Sequence, residues 1–459
     1  MIYSSLLFIY VFFPLSLLIY YATPKKHRNI SLLVLSMAFC GTFGAAFLIF
    51  MTAYTALNFT SCRLIEKYRE NKGLSRSVLI LALVLDISAL FIFRCDFFTG
   101  YRETLFIPEA FFPVGISFFT LSAAGTLADV YCGRMEAEKN IIFYGLYIMF
   151  FPRLIMGPLL RYSSFRKMLC SRNDGLSEIG TGFAVFARGF AKKVIAADSL
   201  YALYSAAISV GVDKMAALTA WLGVVSYFLC LYFTISGISD MGTGIGYCFG
   251  FRMPQSFNYP VFSSNVRYFA ARWHMQAVQW FRRYITKPLS SLSENRIYKK
   301  AVFIVVWGLL GFWYKFNISG FVSGMILGSA VIVESRFSRE KLLPVTGILY
   351  TFIITLVCSE LIASGDLAYS LKYFFAMVGG NRIVADSHSL YLLKSYILIL
   401  LISMYASTNL FRNLMLRSGR IRVRNIVTVM SPLAVLSVMI LCTILISYRG
   451  SSEIILLQM

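Results

Sequence analysis

The chain of 459 residues is 58% hydrophobic and only 14% charged. Soluble domains carry roughly a quarter charged residues, so this composition excludes an ordinary soluble domain and indicates a polytopic membrane protein. The formal net charge of +22 lies in short clusters between apolar segments, which is the pattern of cytoplasmic loops. No nucleic-acid partner is therefore expected, and the expected environment is the lipid bilayer of a plasma or inner membrane.

The N-terminal segment is predicted to be a membrane span. Residues 1–22 are apolar but have no basic start and no small-residue cleavage site, so a removable signal peptide is not expected. Basic clusters at 25–28 and 62–76 are predicted on the same, cytoplasmic side, which requires two short spans between them, hinged at the glycines of GTFG (41–44). The N-terminus is then extracytoplasmic.

Apolar segments recur along the rest of the chain. Further spans or half-spans are predicted at 77–93, 104–121, 141–160, 181–209, 215–233, 300–314, 318–334, 343–363, 390–410 and 427–448. Residues 234–300, rich in Gly, Pro, aromatic residues and Arg, are predicted to form re-entrant or interfacial helices. Because no internal repeat is present, 1–459 is predicted to be a single all-α membrane domain with 234–330 as its core.

Carboxylates inside apolar segments are candidates for function, because a charge is costly within a membrane. They are Asp129, Asp198 and Asp240. Each is equally explained by a helix cap or by an ion pair with a basic neighbour. The nine cysteines form no CxxC pair and no spacing with His that indicates zinc, so no metal site is expected.

The segment 268–289 has a helical pattern and is predicted to be one interfacial helix. Arg272, Gln276 and Gln279 share its polar stripe, with aromatic residues beside it. His274 falls on the apolar face, where two interpretations stay open. It is either a hydrogen-bonded core residue or an imidazole that faces a buried tunnel as a base.

Four stretches of the chain carry a longer pattern. They are FPVGISFFTLSAAGTLADVYCGR (112–134), FFPRLIMGPLLRYSSF (150–165), SGISDMGTGIGYCFGFRMPQSFNYP (236–260), and RWH (272–274) with WFRRYITKPL (280–289). In this order they resemble the membrane-bound O-acyltransferase family. Within the family, they resemble the branch that contains alginate O-acetyltransferases and teichoic-acid D-alanyl transferases.

This resemblance implies a ring of about 11 transmembrane helices around a thin centre, with a tunnel from the cytoplasm to the outer face. It also implies that an acyl group, expected to be acetyl, arrives on a cytoplasmic thioester, either acyl-coenzyme A or an acyl carrier protein. The group leaves on a hydroxyl of an extracytoplasmic polysaccharide or cell-wall polymer. The donor is a substrate, so no bound cofactor is expected. An extracytoplasmic partner transferase or esterase is expected to act with the chain.

The tunnel of the family carries two histidines, and the resemblance places His274 at one of them. The other, usually taken as catalytic, falls in GFWYKFNISGFVSGMILG (311–328), where Tyr314 occupies its position. His274 and Tyr314 are therefore the predicted catalytic residues. The predicted substrate-binding residues are Trp313, Lys315, Arg272, Ser239, Asp240, Asn258 and Arg161.

Two functions stay open. In a working O-acyltransferase, His274 is the base and Tyr314 orients the acceptor or donates to the oxyanion. In a degenerate relative, the fold and tunnel remain and the chain binds a lipid or acyl carrier as a scaffold in cell-surface polymer assembly. Tyr314 favours the second function, since a tyrosine with a pKa of about 10 is a poor base at neutral pH. The extent of the resemblance favours the acyltransferase as the family-level assignment. Lys315, read alone, predicts a helix end at the membrane surface.

Overall fold

The computed structural model describes residues 2–95, 113–172, 175–335, 344–410 and 421–449, and every element in those ranges is a helix. The chain is a multi-pass membrane protein. Within the described ranges, six helices are long and apolar enough to cross a membrane, namely Ala45–Lys67, Lys72–Arg94, Ala217–Cys248, Arg296–Lys315, Val345–Ser364 and Ser387–Ala406. Other predicted spans appear as shorter helices, and the count of about 11 stays a prediction.

The described residues form two compact units, Met1–Ala187 with Ile238–Gln255 and Arg188–Gly237 with Ser256–Met459. The helices of the first unit are α1 (Phe13–Ala22), α2 (Arg28–Gly41), α3 (Ala45–Lys67), α4 (Lys72–Arg94), α5 (Ile116–Tyr131), α6 (Ile141–Met149), α7 (Phe151–Leu154), α8 (Tyr162–Cys170) and most of α9 (Leu176–Ala191). The prediction of a single domain over 1–459 stays a prediction.

The second unit contains the remaining helices. They are α10 (Asp198–Ile208), most of α11 (Ala217–Cys248), α12 (Val266–Arg272), α13 (Met275–Phe281), α14 (Lys287–Ser290), α15 (Arg296–Lys315), α16 (Ile318–Glu334), α17 (Pro344–Ser364), α18 (Leu367–Met377), α19 (Ser387–Ala406) and α20 (Ile421–Arg449). Short π-helical segments precede α1 and join α9 to α10 and α13 to α14, at Phe8–Phe12, Lys192–Ala197 and Arg282–Thr286.

The predicted hinge near the N-terminus is confirmed. Helix α2 ends at Gly41 and α3 begins at Ala45, and Gly44 between them has φ +112°, a conformation that side chains rarely adopt. The second half of the prediction needs a correction, because α3 continues to Lys67. The basic segment that begins at Cys62 therefore starts inside a helix.

Two predicted spans have different boundaries in the structure. The span predicted at 141–160 is broken at Phe150, since Pro152 favours a new helix start and α7 begins there. The span predicted at 215–233 runs on to Cys248, so the SGISDMGTGIG motif is helical and not part of a re-entrant segment. The first half of the span predicted at 104–121 lies outside the described residues, as does the C-terminal stretch 450–459.

Helices α15 and α16 form a tight hairpin that presents the candidate site. They pack through facing glycines, where a Cβ on Gly311 would overlap the backbone of Gly320 and Gly324. The turn is made by Phe316, with φ +57°, and by Asn317, whose side chain accepts a hydrogen bond from the Gly320 N–H at 2.8 Å. The Asn317 amide also donates to the Gly365 carbonyl at 3.1 Å, which ties the turn to the end of α17.

Substituting Gly311 with Ala should destabilise this hairpin by about 1–3 kcal/mol, because the two backbones must separate to admit a methyl group. The measurement is thermal unfolding of the purified protein in detergent. Gly180→Ala in α9 is the matched control, since a Cβ there meets no atom within 4 Å. Equal unfolding temperatures for the two variants would contradict the close packing of α15 on α16.

Candidate active site

The predicted single helix over 268–289 is wrong, because the chain breaks at Trp273 and His274. Helix α12 ends at Arg272 and α13 starts at Met275. His274 itself is in the left-handed region, with φ +36° and ψ +56°. Histidine is one of the few residues enriched in this region, although the conformation still costs about 1–3 kcal/mol. The break turns the imidazole away from the direction that a continuous helix would give it.

Two backbone hydrogen bonds with Ser256 and Asn258 stabilise this break. The Met275 N–H donates to the Ser256 carbonyl at 2.8 Å, and the Asn258 N–H donates to the Arg272 carbonyl at 3.1 Å. A helix end leaves backbone N–H and C=O groups without a partner inside the helix. The two hydrogen bonds satisfy one such group on each side of His274. The position of the imidazole is therefore fixed by contacts that are distant in sequence.

Tyr314, in the last turn of α15, lies against His274. The Tyr314 Oη is 2.8 Å from His274 Nδ1, and the indole N–H of Trp273 donates to the same oxygen at 3.0 Å. Because an indole nitrogen only donates, the tyrosine oxygen accepts from Trp273, and it donates to Nδ1 in the tautomer that carries the His274 proton on Nε2.

The pair lies in a buried aromatic environment. His274 is 3% exposed and Tyr314 is 8% exposed. The Phe257 ring stacks on the imidazole at 5.6 Å between centroids, and the Trp313 ring lies 5.8 Å from it. His274 is outside the helices that are long enough to span a membrane, and burial lowers its pKa to about 4. The imidazole is therefore neutral at neutral pH and able to accept a proton.

An apolar cavity adjoins the Trp273 and Tyr314 side chains. It has an empty volume of about 540 Å³ and lies among α11, α12, α15, α16 and α17. Three hydroxyls in its wall each donate to a backbone carbonyl, at Cys358, Phe352 and Leu356. Since these hydroxyls are already paired, the wall suits an uncharged acyl group better than a charged one.

The remaining predicted residues of the second unit lie around this pair. Trp313 contacts both rings of the pair, with its centroid 5.4 Å from that of Tyr314. Lys315 is the last residue of α15, where the helix dipole favours a cation, so the predicted helix end is confirmed. Arg272 ends α12 and covers the Tyr268 ring at 5.6 Å, while the Asn258 side chain is exposed.

Three predicted substrate-binding residues lie in the first unit. Ser239 is buried and Asp240 half-buried in the C-terminal part of α11, and Arg161 is exposed at the start of α8. The two other carboxylates that the sequence singles out have ion-pair partners. Asp129 pairs with Arg134 at 3.3 Å and Asp198 pairs with Lys193, so the interpretation as ion pairs is confirmed for both.

Sequence reasoning missed the role of two aromatic residues. Trp273 donates a hydrogen bond to Tyr314, and Phe257 stacks on His274. Trp273 stands next to His274 in the RWH motif, so its presence near the site was visible in the sequence. Its donor role was hidden, because it depends on the break that separates α12 from α13.

The chain is similar to several known proteins. Residues 137–334 match the profile of the MBOAT, membrane-bound O-acyltransferase family. The chain is 28% identical over 422 residues to a probable alginate O-acetylase of Azotobacter vinelandii, covering 88% of this chain and 83% of that protein. It is 26% identical over 435 residues to a peptidoglycan O-acetyltransferase of Helicobacter pylori, covering 83% and 81%.

A third relative is similar to a shorter part of the chain. A teichoic acid D-alanyltransferase of Bacillus subtilis is 23% identical over 292 residues, which is 60% of this chain and 73% of that protein. The family match includes the whole of the break at His274 and the hairpin that carries Tyr314. Over residues 137–334 the chain therefore resembles the membrane-bound O-acyltransferase family.

Proposed function

We propose that the chain moves an acyl group, in the simplest case acetyl, from a cytoplasmic thioester to a hydroxyl of an extracytoplasmic polysaccharide or cell-wall polymer. The names of the relatives support acyl transfer to such polymers. The observation that carries the proposal is the chain of hydrogen bonds from Trp273 through the Tyr314 hydroxyl to His274 Nδ1, beside an apolar cavity.

The tyrosine works in this proposal as a relay and not as the base. In the tautomer with the His274 proton on Nε2, the Tyr314 hydroxyl donates to Nδ1, and in the proposed reaction it takes the proton of the acceptor hydroxyl. As the acceptor oxygen attacks the thioester carbon, its proton passes to Tyr314 Oη and the tyrosine proton passes to His274 Nδ1. Tyr314 never carries a full negative charge, so its unfavourable pKa does not block the reaction.

The second half of the reaction uses the same groups in reverse. The tetrahedral intermediate collapses, the carbon–sulfur bond breaks, and its electron pair stays on the sulfur. The imidazolium of His274 returns its proton to Tyr314, which passes its own proton to the departing thiolate. The products are an ester and a free thiol, and both side chains are back in their starting state.

The proposed function also includes a donor, a partner and a location in the cell. The donor is acyl-coenzyme A or an acyl carrier protein, and an extracytoplasmic transferase or esterase acts as partner. The chain lies in the plasma or inner membrane with its N-terminus outside, as the basic clusters at 25–28 and 62–76 indicate.

The test is ester analysis of surface polymers in a strain that lacks the chain. Deletion should reduce ester-linked acyl groups to background while the polymer itself is still made, and the wild-type chain should restore them. The scaffold function, which Tyr314 at the family's histidine position favours, makes the opposite prediction. It expects the polymer to be lost or shortened, with normal ester content in what remains.

A further inference from the structure

A cluster of buried polar side chains lies in the first unit, between α3, α4 and α6. Asp86 of α4 is 1% exposed, and Tyr54 and Asn58 of α3 and Tyr144 of α6 are buried as well. Asn58 and Asp86 lie near the middle of α3 and α4, which are both long enough to span a membrane. The Asn58 amide donates to Asp86 Oδ1 at 3.0 Å and to the Tyr54 carbonyl at 3.2 Å, so the cluster joins the two helices.

Four oxygens of this cluster have no hydrogen-bond partner among the described residues. They are Asp86 Oδ2, Asn58 Oδ1, Tyr54 Oη and Tyr144 Oη. Tyr54 and Asn58 are one turn apart on the same face of α3, and the Tyr54 hydroxyl lies beside the Asp86 carboxyl. The Tyr144 hydroxyl lies beside Cys62, one further turn along that face. Because buried polar atoms are nearly always paired, four unpaired oxygens from three helices indicate a ligand.

The negative charge of Asp86 is not balanced by a nearby cation. Asp86 forms no ion pair with any residue that the structure describes. The nearest cation on the same helix, Arg94, is about 12 Å further along α4. An isolated carboxylate in the middle of a membrane span is costly, so Asp86 requires either a counter-ion or a proton.

The four unpaired oxygens distinguish the possible occupants of the cluster. A proton on Asp86 Oδ2 would pair that oxygen with one other and leave two without a partner. A water molecule would pair with several of the oxygens but would leave the charge of Asp86 in place. A monovalent cation accepts lone pairs from all four oxygens and cancels the charge. A divalent cation would leave an excess positive charge inside the span.

We propose that one sodium ion binds between α3, α4 and α6, coordinated by Asp86, Asn58, Tyr54 and Tyr144. The ligand atoms are all oxygens, which hard cations prefer, so neither cysteine nor histidine spacing reveals the site in the sequence. The bound ion fixes α4 against α3 and α6, and the stability of the first unit therefore depends on the sodium concentration. This site is independent of the proposed acyl transfer.

The test is thermal unfolding of the purified full-length chain in neutral detergent, in sodium chloride and in N-methylglucamine chloride of equal ionic strength. Sodium should raise the unfolding temperature of the wild type by roughly 2–4 °C, with a saturable dependence on its concentration. Radioactive sodium should bind to the same preparation with a stoichiometry of about one ion per chain, as a single site requires.

Three variants locate the ion. Asp86→Asn removes the charge and keeps the size of the side chain, so it should bind no radioactive sodium and unfold at the same temperature in both salts. Tyr54→Phe removes one ligand and should raise the sodium concentration needed for half of the stabilisation about tenfold. Asp129→Asn is the matched control, because it changes another buried carboxylate of the same unit, one that pairs with Arg134. It should leave sodium binding unchanged.

Two results would overturn the proposal. The first is a wild type that binds no radioactive sodium or unfolds at the same temperature in both salts, which would indicate a protonated Asp86 with buried water. The second is an Asp86→Asn variant that folds and keeps the full effect of sodium, which would place the ion elsewhere. If Asp86→Asn does not fold, an unchanged sodium dependence in Tyr54→Phe overturns the proposed set of ligands.

Discussion

Replacing His274 with Asn should lower the rate of acyl transfer by about 10²–10⁴-fold, the usual loss when a general base is removed. Asparagine tolerates the left-handed backbone of this position, whereas Ala or Gln would add strain to the chemical change. The measurement is the initial rate of labelled acetyl transfer from acetyl-coenzyme A in membranes, normalised to the amount of folded protein.

The pH dependence of the same assay is a second test of His274 as the base. The pKa of His274 is lowered to about 4 by burial, so the base form dominates above that pH. The wild-type rate should stay flat from neutral pH down to about 5 and fall as the pH approaches 4. The residual rate of the His274→Asn variant should lack this fall. A variant as fast as the wild type would exclude His274 from the chemistry.

Replacing Tyr314 with Phe should lower acyl transfer by about 10²–10³-fold, because the relay loses the oxygen that passes the proton to His274. The ring volume is retained, so the aromatic contacts with Trp313 and His274 remain and the fold should be unaffected. The same initial-rate assay applies. Tyr298→Phe is the matched control, since Tyr298 lies on α15 near the opposite end from Tyr314 and is not part of the pair.

The Tyr314→His variant distinguishes two explanations for the presence of a tyrosine at this position. If the rate rises well above the wild type, the tyrosine is a defect in an otherwise intact pocket. If the rate falls, the pocket has adapted to a phenol, and the hydrogen bond from Trp273 is part of that adaptation. A Tyr314→Phe variant with the full wild-type rate would contradict the relay, because no other group in the proposal carries the proton to His274.

Local sequence features predicted the parts of the fold that depend on local chemistry. The glycines at 41–44 predicted a hinge, and Lys315 predicted a helix end. The break at His274 was not predictable in the same way. Residues 268–289 have a regular helical pattern, and the hydrogen bonds that interrupt it come from Ser256 and Asn258. Tertiary hydrogen bonds override a local helical preference without any mark in the pattern.

The candidate site was predictable as a set of residues and not as a geometry. The resemblance identified His274 and Tyr314 as a pair of interest from their motifs. That their polar atoms lie 2.8 Å apart, with Trp273 as a third member, follows from the left-handed turn at His274 and the position of the α15–α16 hairpin. Neither the turn nor the position of the hairpin produces a periodic pattern in the sequence, so neither could be predicted from hydrophobic periodicity.

Tyr314 and His274 are carried by helices of different lengths, which has a consequence for how the bilayer acts on the site. Tyr314 belongs to α15, which is long enough to span a membrane, whereas His274 sits between two short helices. A spanning helix tilts when the hydrocarbon thickness changes, but short helices held by loops do not follow it to the same extent. The Tyr314 oxygen and the His274 nitrogen are therefore carried by helices that respond differently to the surrounding lipid, and in the proposed reaction a change of membrane thickness should change the rate of acyl transfer.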